Sequence, residues 1–402
     1  VLPMGEEIYT FTPVQHPANK MDIDIITTHF DYHSIDHNLL KLDILGHDDP
    51  SMMRMLQDLT GLEPTQIPLD DDRVMSLFLS TDALGITPDD IPGTKLGCLG
   101  IPEFGTDNAM SMLMETKPQY MSDLIRISGL GHGTGVWGDN AQTLIREGKA
   151  TISTAICCRD DIMIYLIQKG LDPAEAFNIM ENVRKGKVAA GKCKQWEQWK
   201  EDMIAHDVPE WYIWSCERIE YMFPKAHAAA YVMMAYRIAW FKVYMPLAYY
   251  CGFFSIRAKG FSYEKCCQGP VVLSGIIEDY KRRKDFLSDP EKDELHDMRI
   301  VQEMYARGLE FCPIDLNKVS ARDFQIIDGR IMPALSSISG IGPKAADAII
   351  SRISSSPDRG PFLSKDDFCT RSGASPSVAD KLQEVGVLGD IPESNQLSLF
   401  DL

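Results

Sequence analysis

The sequence predicts a mainly α-helical protein with a small α+β segment at its front, and three observations carry that expectation. Apolar residues such as Met52, Met53, Leu56 and Leu59 recur at helical spacing, and most segments to about Ala258 follow suit. Proline and aspartate punctuate the run at Asp49-Pro50, Asp82, Asp172-Pro173 and Pro209, as expected of helix starts. Strand-like character is read at Ile23 to Thr28, and Pro313 to Pro333 is a short mixed piece. Taken in order, a polar, broken front ends in a short amphipathic stretch from Leu39 to Gly46, and Asp49 is expected to cap the first helix with Pro50 at its first position. Ser128 to Gly138 holds too many glycines for regular structure and reads as a loop. Glu278 to Arg307 is charged and helix-compatible, Ala334 to Leu388 is helical again, and Gly389 onward reads as a tail. No internal repeat at solenoid spacing is present.

With 402 residues and 45% hydrophobic content the chain can bury large cores, and its length suggests two or three domains. It lacks a run of about 18 apolar residues, and Val1-Leu2-Pro3-Met4-Gly5 lacks the pattern of a secretion signal. A cytoplasmic protein with no membrane partner is therefore expected. The start on Val1 is read as the start of a C-terminal piece of something longer. Ten cysteines, including Cys157-Cys158 and Cys266-Cys267, show neither Cys-x-x-Cys nor zinc-finger spacing, so they read as buried thiols in a reducing compartment. A formal charge of −18 argues against indiscriminate nucleic-acid binding. Two basic runs stand out against it: Arg184, Lys185, Lys187, Lys192 and Lys194 with no acid between them, and Lys281-Arg282-Arg283-Lys284. Each is either a solvated face or a contact with DNA.

The clearest local pattern is Leu335-Ser-Ser-Ile338-Ser-Gly340-Ile341-Gly342-Pro343-Lys344-Ala345-Ala346. Two glycines around an apolar residue allow a tight turn, and the amides from Gly340 to Gly342 with the following helix start can face a phosphate without reading sequence. This is the helix-hairpin-helix signature, with Lys344 adding a charge to the same phosphate; a purely structural hairpin shares the spacing. A second hairpin, from Ser372-Gly373 to Val387, lacks the second glycine and reads as structural.

A helix starts after Pro224 in Tyr221-Met-Phe-Pro224-Lys225-Ala-His227-Ala-Ala-Ala-Tyr231, placing His227 and Tyr231 on one face. The helix dipole, Lys225 and His227 suit a polyphosphate, and Tyr231 suits a base or sugar; three alanines equally suit close helix packing. Arg159, ahead of Asp160-Asp161 at the head of an apolar helix, faces either a phosphate or its own neighbours. No Walker-type phosphate loop occurs. His29, Asp31 and His33 alternate as if on one strand face and form a weak metal-site candidate. Asp43, a lone carboxylate in an apolar run, is either an ion-pair partner or a metal ligand. The terminal Gln396-Leu397-Ser398-Leu399-Phe400 reads as an anchor for a partner's pocket or as a segment docked on its own domain.

Together, Lys41 to Pro50, Cys158-Arg159-Asp-Asp, Met222 to Tyr231, the hairpin at Gly340 and the tail at Gln396 resemble the bacterial family C replicative DNA polymerases, closest to the PolC type of the DNA polymerase III alpha subunit. The motifs occur in the family's order across nearly the whole chain. The resemblance implies that residues 1–50 end the palm, 51–275 form helical fingers, 276–330 a linker or duplex-binding region, 331–390 the helix-hairpin-helix DNA-binding region and 391–402 a flexible clamp-binding tail. It implies template-directed nucleotidyl transfer with Mg2+, in which Asp43 matches the third of three palm carboxylates. The other two, an Asp-x-Asp pair, would lie upstream, so this piece alone is not expected to polymerise or to proofread. By the same resemblance Arg159, Lys225, His227 and Tyr231 face the incoming nucleotide, while Gly340, Ile341, Gly342 and Lys344 meet duplex DNA. Implied partners are primer-template DNA, deoxynucleoside triphosphates, a sliding clamp held through Gln396 to Phe400, and other replisome subunits. The alternative is a non-catalytic DNA-binding adaptor tethered to a clamp.

Overall fold

The computed structural model describes residues 1–42, 44, 46–356 and 360–394. Two compact units divide the chain, Val1–His47 and Asp48–Leu402. In the first, β1 (Val14–Gln15) pairs antiparallel with β2 (Thr27–Thr28), Val14 opposite Thr28. The strand expected over Ile23 to Thr28 is thus only its last two residues, and the described residues of the 39–46 stretch form no helix or strand. Nor do His29, Asp31 and His33 share a strand face. His29 bonds through Nδ1 to Gln15 Oε1 (2.8 Å), whereas Asp31 caps a short 3-10 turn by accepting the His33 N–H (3.0 Å). The turn chemistry of Asp31 ends the strand before the alternation develops.

The second unit is helical. Its first helices are α1 (Asp48–Thr60), α2 (Asp72–Ser76), α3 (Asp107–Thr116), α4 (Met121–His132), α5 (Gln142–Arg146), α6 (Arg159–Gln168), α7 (Pro173–Arg184), α8 (Trp196–Ala205) and α9 (Glu210–Cys216). They are followed by α10 (Lys225–Tyr244), α11 (Pro246–Gly252), α12 (Tyr263–Cys266), α13 (Pro270–Arg282) and α14 (Asp289–Ala306). A small hairpin of β3 (Gln325–Ile327) and β4 (Arg330–Met332) leads to α15 (Pro343–Ser355), α16 (Lys365–Ser372) and α17 (Pro376–Glu384). The Asp172-Pro173 start behaves as its chemistry dictates: the Asp172 carboxylate accepts the Ala174 and Glu175 N–H groups, with Pro173 at the first helical position.

Two expectations are corrected here. Asp49 does not cap α1, because the helix already begins at Asp48 and Pro50 is tolerated within the first turn, where its missing N–H has no acceptor to serve. Asp49 is instead fully buried and ion-paired to Arg257. The Ser128 to Gly138 stretch is not all loop, since α4 runs through Gly129 and Gly131 to His132. A Cβ at Gly129 would lie 2.6 Å from the Cys157 carbonyl oxygen, so glycine here permits close approach of a helix to the chain entering α6. Packing outweighs the propensity cost of about 1 kcal/mol.

Most helices surround one core, in which α10 is central, with Val232, Ala235, Tyr236, Ile238, Ala239 and Phe241 fully buried. A second, smaller core is built from Ile314, Leu335, Ile338, Ile341, Ile349, Phe368 and Leu382. Glu264 joins the two, accepting the Ser339 N–H (3.1 Å) and Oγ–H (2.9 Å) and pairing with Lys381 (3.3 Å). Asp297 on α14 is nearly inaccessible and accepts the Gly260 N–H (2.7 Å). Burial pushes its carboxyl up to about 7 against the pull of the Gly260 and Lys259 amides, with Asp293 adding to the rise and Lys259 opposing it. The folded protein therefore holds a proton there that the unfolded chain, titrating near 4, has lost. Stability from this site is full below pH 4 and declines as pH rises toward 7, by up to about 1.4 kcal/mol per unit. Asp297→Asn is expected to flatten that decline, which urea unfolding between pH 5 and 8 measures.

Candidate nucleotide and nucleic-acid interface

Two helix N-termini meet head to head. At the head of α6, Asp161 turns back so that its Oδ2 accepts the N–H groups of Cys157 and Cys158 (both 3.1 Å). At the head of α10, extended Pro224 precedes Lys225, whose N–H donates to Asp160 Oδ2 (2.6 Å). The Arg159 N–H donates in turn to the Phe223 carbonyl (3.2 Å). Lys225 Nζ stands 3.4 Å from Asp161 Oδ1, and Arg126 Nη1, from α4, stands 3.6 Å from Oδ2. Burial works against the Arg126 charge, but Asp161 beside it holds the guanidinium above its ordinary range. Burial, reinforced by Asp161, pushes the Cys158 thiol up to about 12, so it stays protonated and is no nucleophile. Two positive helix ends and two cations, Arg126 and Lys225, thus converge on Asp160 and Asp161.

An aromatic column rises beside this junction. Phe223 stacks on His227 (5.0 Å between centroids, 27°), and His227 leans on Tyr231 (4.4 Å). His132, at the end of α4, packs edge-on against both Phe223 and His227 (5.7 Å each). It is fixed by acceptors at both ring nitrogens, the Ser128 carbonyl (2.7 Å at Nδ1) and Glu103 Oε2 (3.2 Å at Nε2). The Ser128 hydroxyl also donates to Glu103 (2.9 Å). A cavity of about 300 Å3 at the junction is lined by Arg126, Asp161, Tyr165, Trp211 and Lys225.

The structure therefore brings Arg159 and Lys225 onto facing helix heads, and His227 and Tyr231 onto one face of α10. Sequence reading missed Arg126, Asp160, Asp161, Phe223, His132 and Glu103 as members of the cluster. The adjacent acids Asp160-Asp161 were the available signal, but their partners, at Lys225 and Arg126, are distant in sequence. Asp43 and Gln396 to Phe400 lie outside the described residues.

The hairpin at Gly340 is built as its sequence suggests. A 3-10 turn (Leu335–Ser337) leads to Gly340 at φ +86°, buried Ile341 plugs the smaller core, and Gly342 is the extended cap before Pro343. With no side chain to cap them, the N–H groups of Gly342, Lys344 and Ala345 make no hydrogen bond among the described residues, and Lys344 is exposed. A Cβ at either glycine meets nothing within 4 Å. Only Gly340 is demanded by backbone conformation; at Gly342 any residue fits the φ of −70°, and glycine leaves the loop's outer face open. Gly342→Val is therefore the cleaner probe. If the hairpin meets duplex DNA as its signature implies, this change weakens duplex binding about tenfold, the worth of a phosphate contact, with little change in melting temperature, measured by fluorescence anisotropy and calorimetry; unaltered binding removes the hairpin from the interface. The run from Lys281 to Lys284 is less available. Lys281 binds the Pro92 carbonyl (2.8 Å) and Glu278 (3.3 Å), and Arg283 pairs with Asp279 (3.1 Å) and Glu291 (2.6 Å).

Two family models match, the bacterial DNA polymerase III alpha subunit finger domain over residues 49–207 and a helix-hairpin-helix motif over residues 308–397. A DNA polymerase III PolC-type from Caldanaerobacter subterraneus subsp. tengcongensis is 49% identical over 400 residues, covering all of this chain. The chain belongs to the PolC-type DNA polymerase III family. Further PolC-type relatives, from Streptococcus pneumoniae serotype 2 and Streptococcus pyogenes serotype M1, are 48% identical over the whole chain. The chain spans 28% of the length of the Caldanaerobacter relative and 27% of the streptococcal ones. The finger-domain match ends before Lys225, so the paired helix heads of this PolC-type chain draw on residues inside and beyond it. No helix among the described residues is long and apolar enough to cross a membrane.

Proposed function

We propose that this chain is the nucleotide-gripping and DNA-holding part of a replicative DNA-directed DNA polymerase working in the cytoplasm. Residues 1–50 end the palm, 51–275 form the fingers, 276–330 approach the duplex, 331–390 carry the hairpin and 391–402 bind the sliding clamp. The observation that supports this best is the junction of the α6 and α10 heads, which sets Arg159, Lys225 and two helix dipoles beside a column of Phe223, His227 and Tyr231. A triphosphate carries the charge that such helix ends accept, and a base or sugar offers the flat face that the rings accept.

Lys225 is half-committed to Asp161. When a phosphate oxygen draws its ammonium away, Asp161 keeps its two backbone amides and Arg126, so transfer of Lys225 leaves no orphaned charge. The rings of His227 and Tyr231 orient the nucleoside while the helix heads hold its tail. No group of three metal-binding side chains occurs among the described residues, and Asp43 lies outside them, so no step is derived through a metal. Mg2+ bound with the help of Asp43 would activate the primer 3′ hydroxyl and stabilise leaving pyrophosphate.

In a whole polymerase carrying this chain, Arg159→Ala and Lys225→Ala are each expected to raise the KM for deoxynucleoside triphosphates about 10- to 100-fold, the worth of one charge-assisted hydrogen bond. Primer-template affinity should not change. Single-nucleotide incorporation measured over a range of triphosphate concentrations decides it, and an unaltered KM in both variants refutes the assignment.

A further inference from the structure

We propose that the lysine-rich turn between α7 and α8 is a second nucleic-acid contact, a surface that grips the phosphodiester backbone without reading sequence. Residues 184–194 carry five basic side chains and no acid in a chain of net charge −18. Two of the five are already engaged, since Arg184 and Lys185 both pair with Glu181 of α7. Lys187, Lys192 and Lys194 are exposed, and their side-chain ammonium groups make no hydrogen bond or ion pair among the described residues. Three ammonium groups within eight residues repel one another, and the nearby exposed acids Glu197 and Glu220 do not pair with them. A polyanion relieves that repulsion, and the counterions it releases drive binding.

The turn is not a loose loop on which lysines drift. Its backbone is closed by Lys187 N–H to Asn182 O (3.0 Å), Ala190 N–H to Gly186 O (3.0 Å) and Lys192 N–H to Lys187 O (2.8 Å), with Val188 buried beneath. Gly186 lies against the segment before α10: a Cβ there would stand 2.4 Å from the Glu220 carbonyl oxygen. The Met222 N–H donates to the Arg184 carbonyl (3.2 Å). A rigid cationic turn is thus bonded to residues 220–222, two residues ahead of the Pro224-Lys225 helix head. A strand whose end is served at that head would pass phosphates near the turn. The position relies on the polymerase reading; the local charge does not.

The test is a salt series on the 402-residue chain, using a labelled primer-template duplex and a labelled single strand followed by anisotropy. The triple variant Lys187→Gln/Lys192→Gln/Lys194→Gln is expected to lower the slope of log affinity against log salt by about 2 to 3, and to weaken binding tenfold or more near physiological salt. A loss on the duplex alone assigns the turn to paired DNA, and a loss on the single strand alone assigns it to the unpaired template; either supports the proposal. Melting temperature should not move, because the three side chains are exposed and make no side-chain hydrogen bond or ion pair among the described residues. An unchanged slope on both probes overturns the proposal, as does an equal loss from Lys20→Gln/Lys95→Gln/Lys117→Gln, which would reduce the effect to net charge. If the lysine variant is silent while Gly342→Val still weakens binding, this inference falls and the polymerase reading stands. If the unaltered chain binds neither probe, both fall.

Discussion

Lys242→Met is expected to destabilise the helical unit by about 3–5 kcal/mol, the cost of leaving a buried charge without its partner. Lys242 and Glu303 are both fully inaccessible, and their charged groups meet at 2.7 Å. The remaining protons of the ammonium go to the carbonyls of Gly97 (2.7 Å) and Leu99 (2.6 Å), and the Tyr250 hydroxyl donates to Glu303 (2.6 Å). Burial draws the Lys242 ammonium below its ordinary range, and Glu303 opposes that pull. The arrangement ties α10 and α14 to the loop that carries Glu103, so its loss should also loosen the fixing of His132. Urea unfolding measures the cost. Lys242→Met/Glu303→Leu should recover most of it, because a buried pair replaced by apolar side chains leaves neither charge exposed to a dry interior. A single-variant loss below about 1 kcal/mol would mean that water reaches the pair.

The second large effect is on chemistry. Asp43→Asn, in a whole polymerase carrying this chain, is expected to reduce primer extension by several kcal/mol of barrier, on the order of a thousandfold, at saturating Mg2+. The carboxamide keeps the shape of the side chain and removes the charge that a divalent ion requires. Primer-template and triphosphate binding should persist, since neither the hairpin nor the helix heads involve residue 43. Extension that survives the change would return Asp43 to the ion-pair alternative and favour a non-catalytic adaptor.

Much of the helical architecture was legible because helix starts are written in local chemistry. Asp172-Pro173 and Pro224 each precede a helix for reasons contained within a few residues. The hairpin at Gly340 was legible for the same reason, as a positive φ leaves glycine little competition. Where tertiary contact decided, the sequence misled. The glycines of α4 looked like loop until the Cys157 carbonyl was found against Gly129, and Asp49 looked like a cap until Arg257 was found beside it. The site divides along the same line. His227 and Tyr231 share a face by periodicity alone, whereas the union of Asp160 with the head of α10 spans 65 residues and leaves no local trace.

On the proposed reading the α10 head holds the tail of an incoming nucleotide, and Lys225 reports on it directly. In a ternary complex of the whole polymerase with a dideoxy-terminated primer-template, acylation of lysines followed by mass spectrometry gives the reactivity of Lys225 with and without the matching triphosphate. The matching triphosphate is expected to slow labelling of Lys225 severalfold while exposed Lys20 and Lys95 react as before. Equal labelling of Lys225 in both states would contradict it.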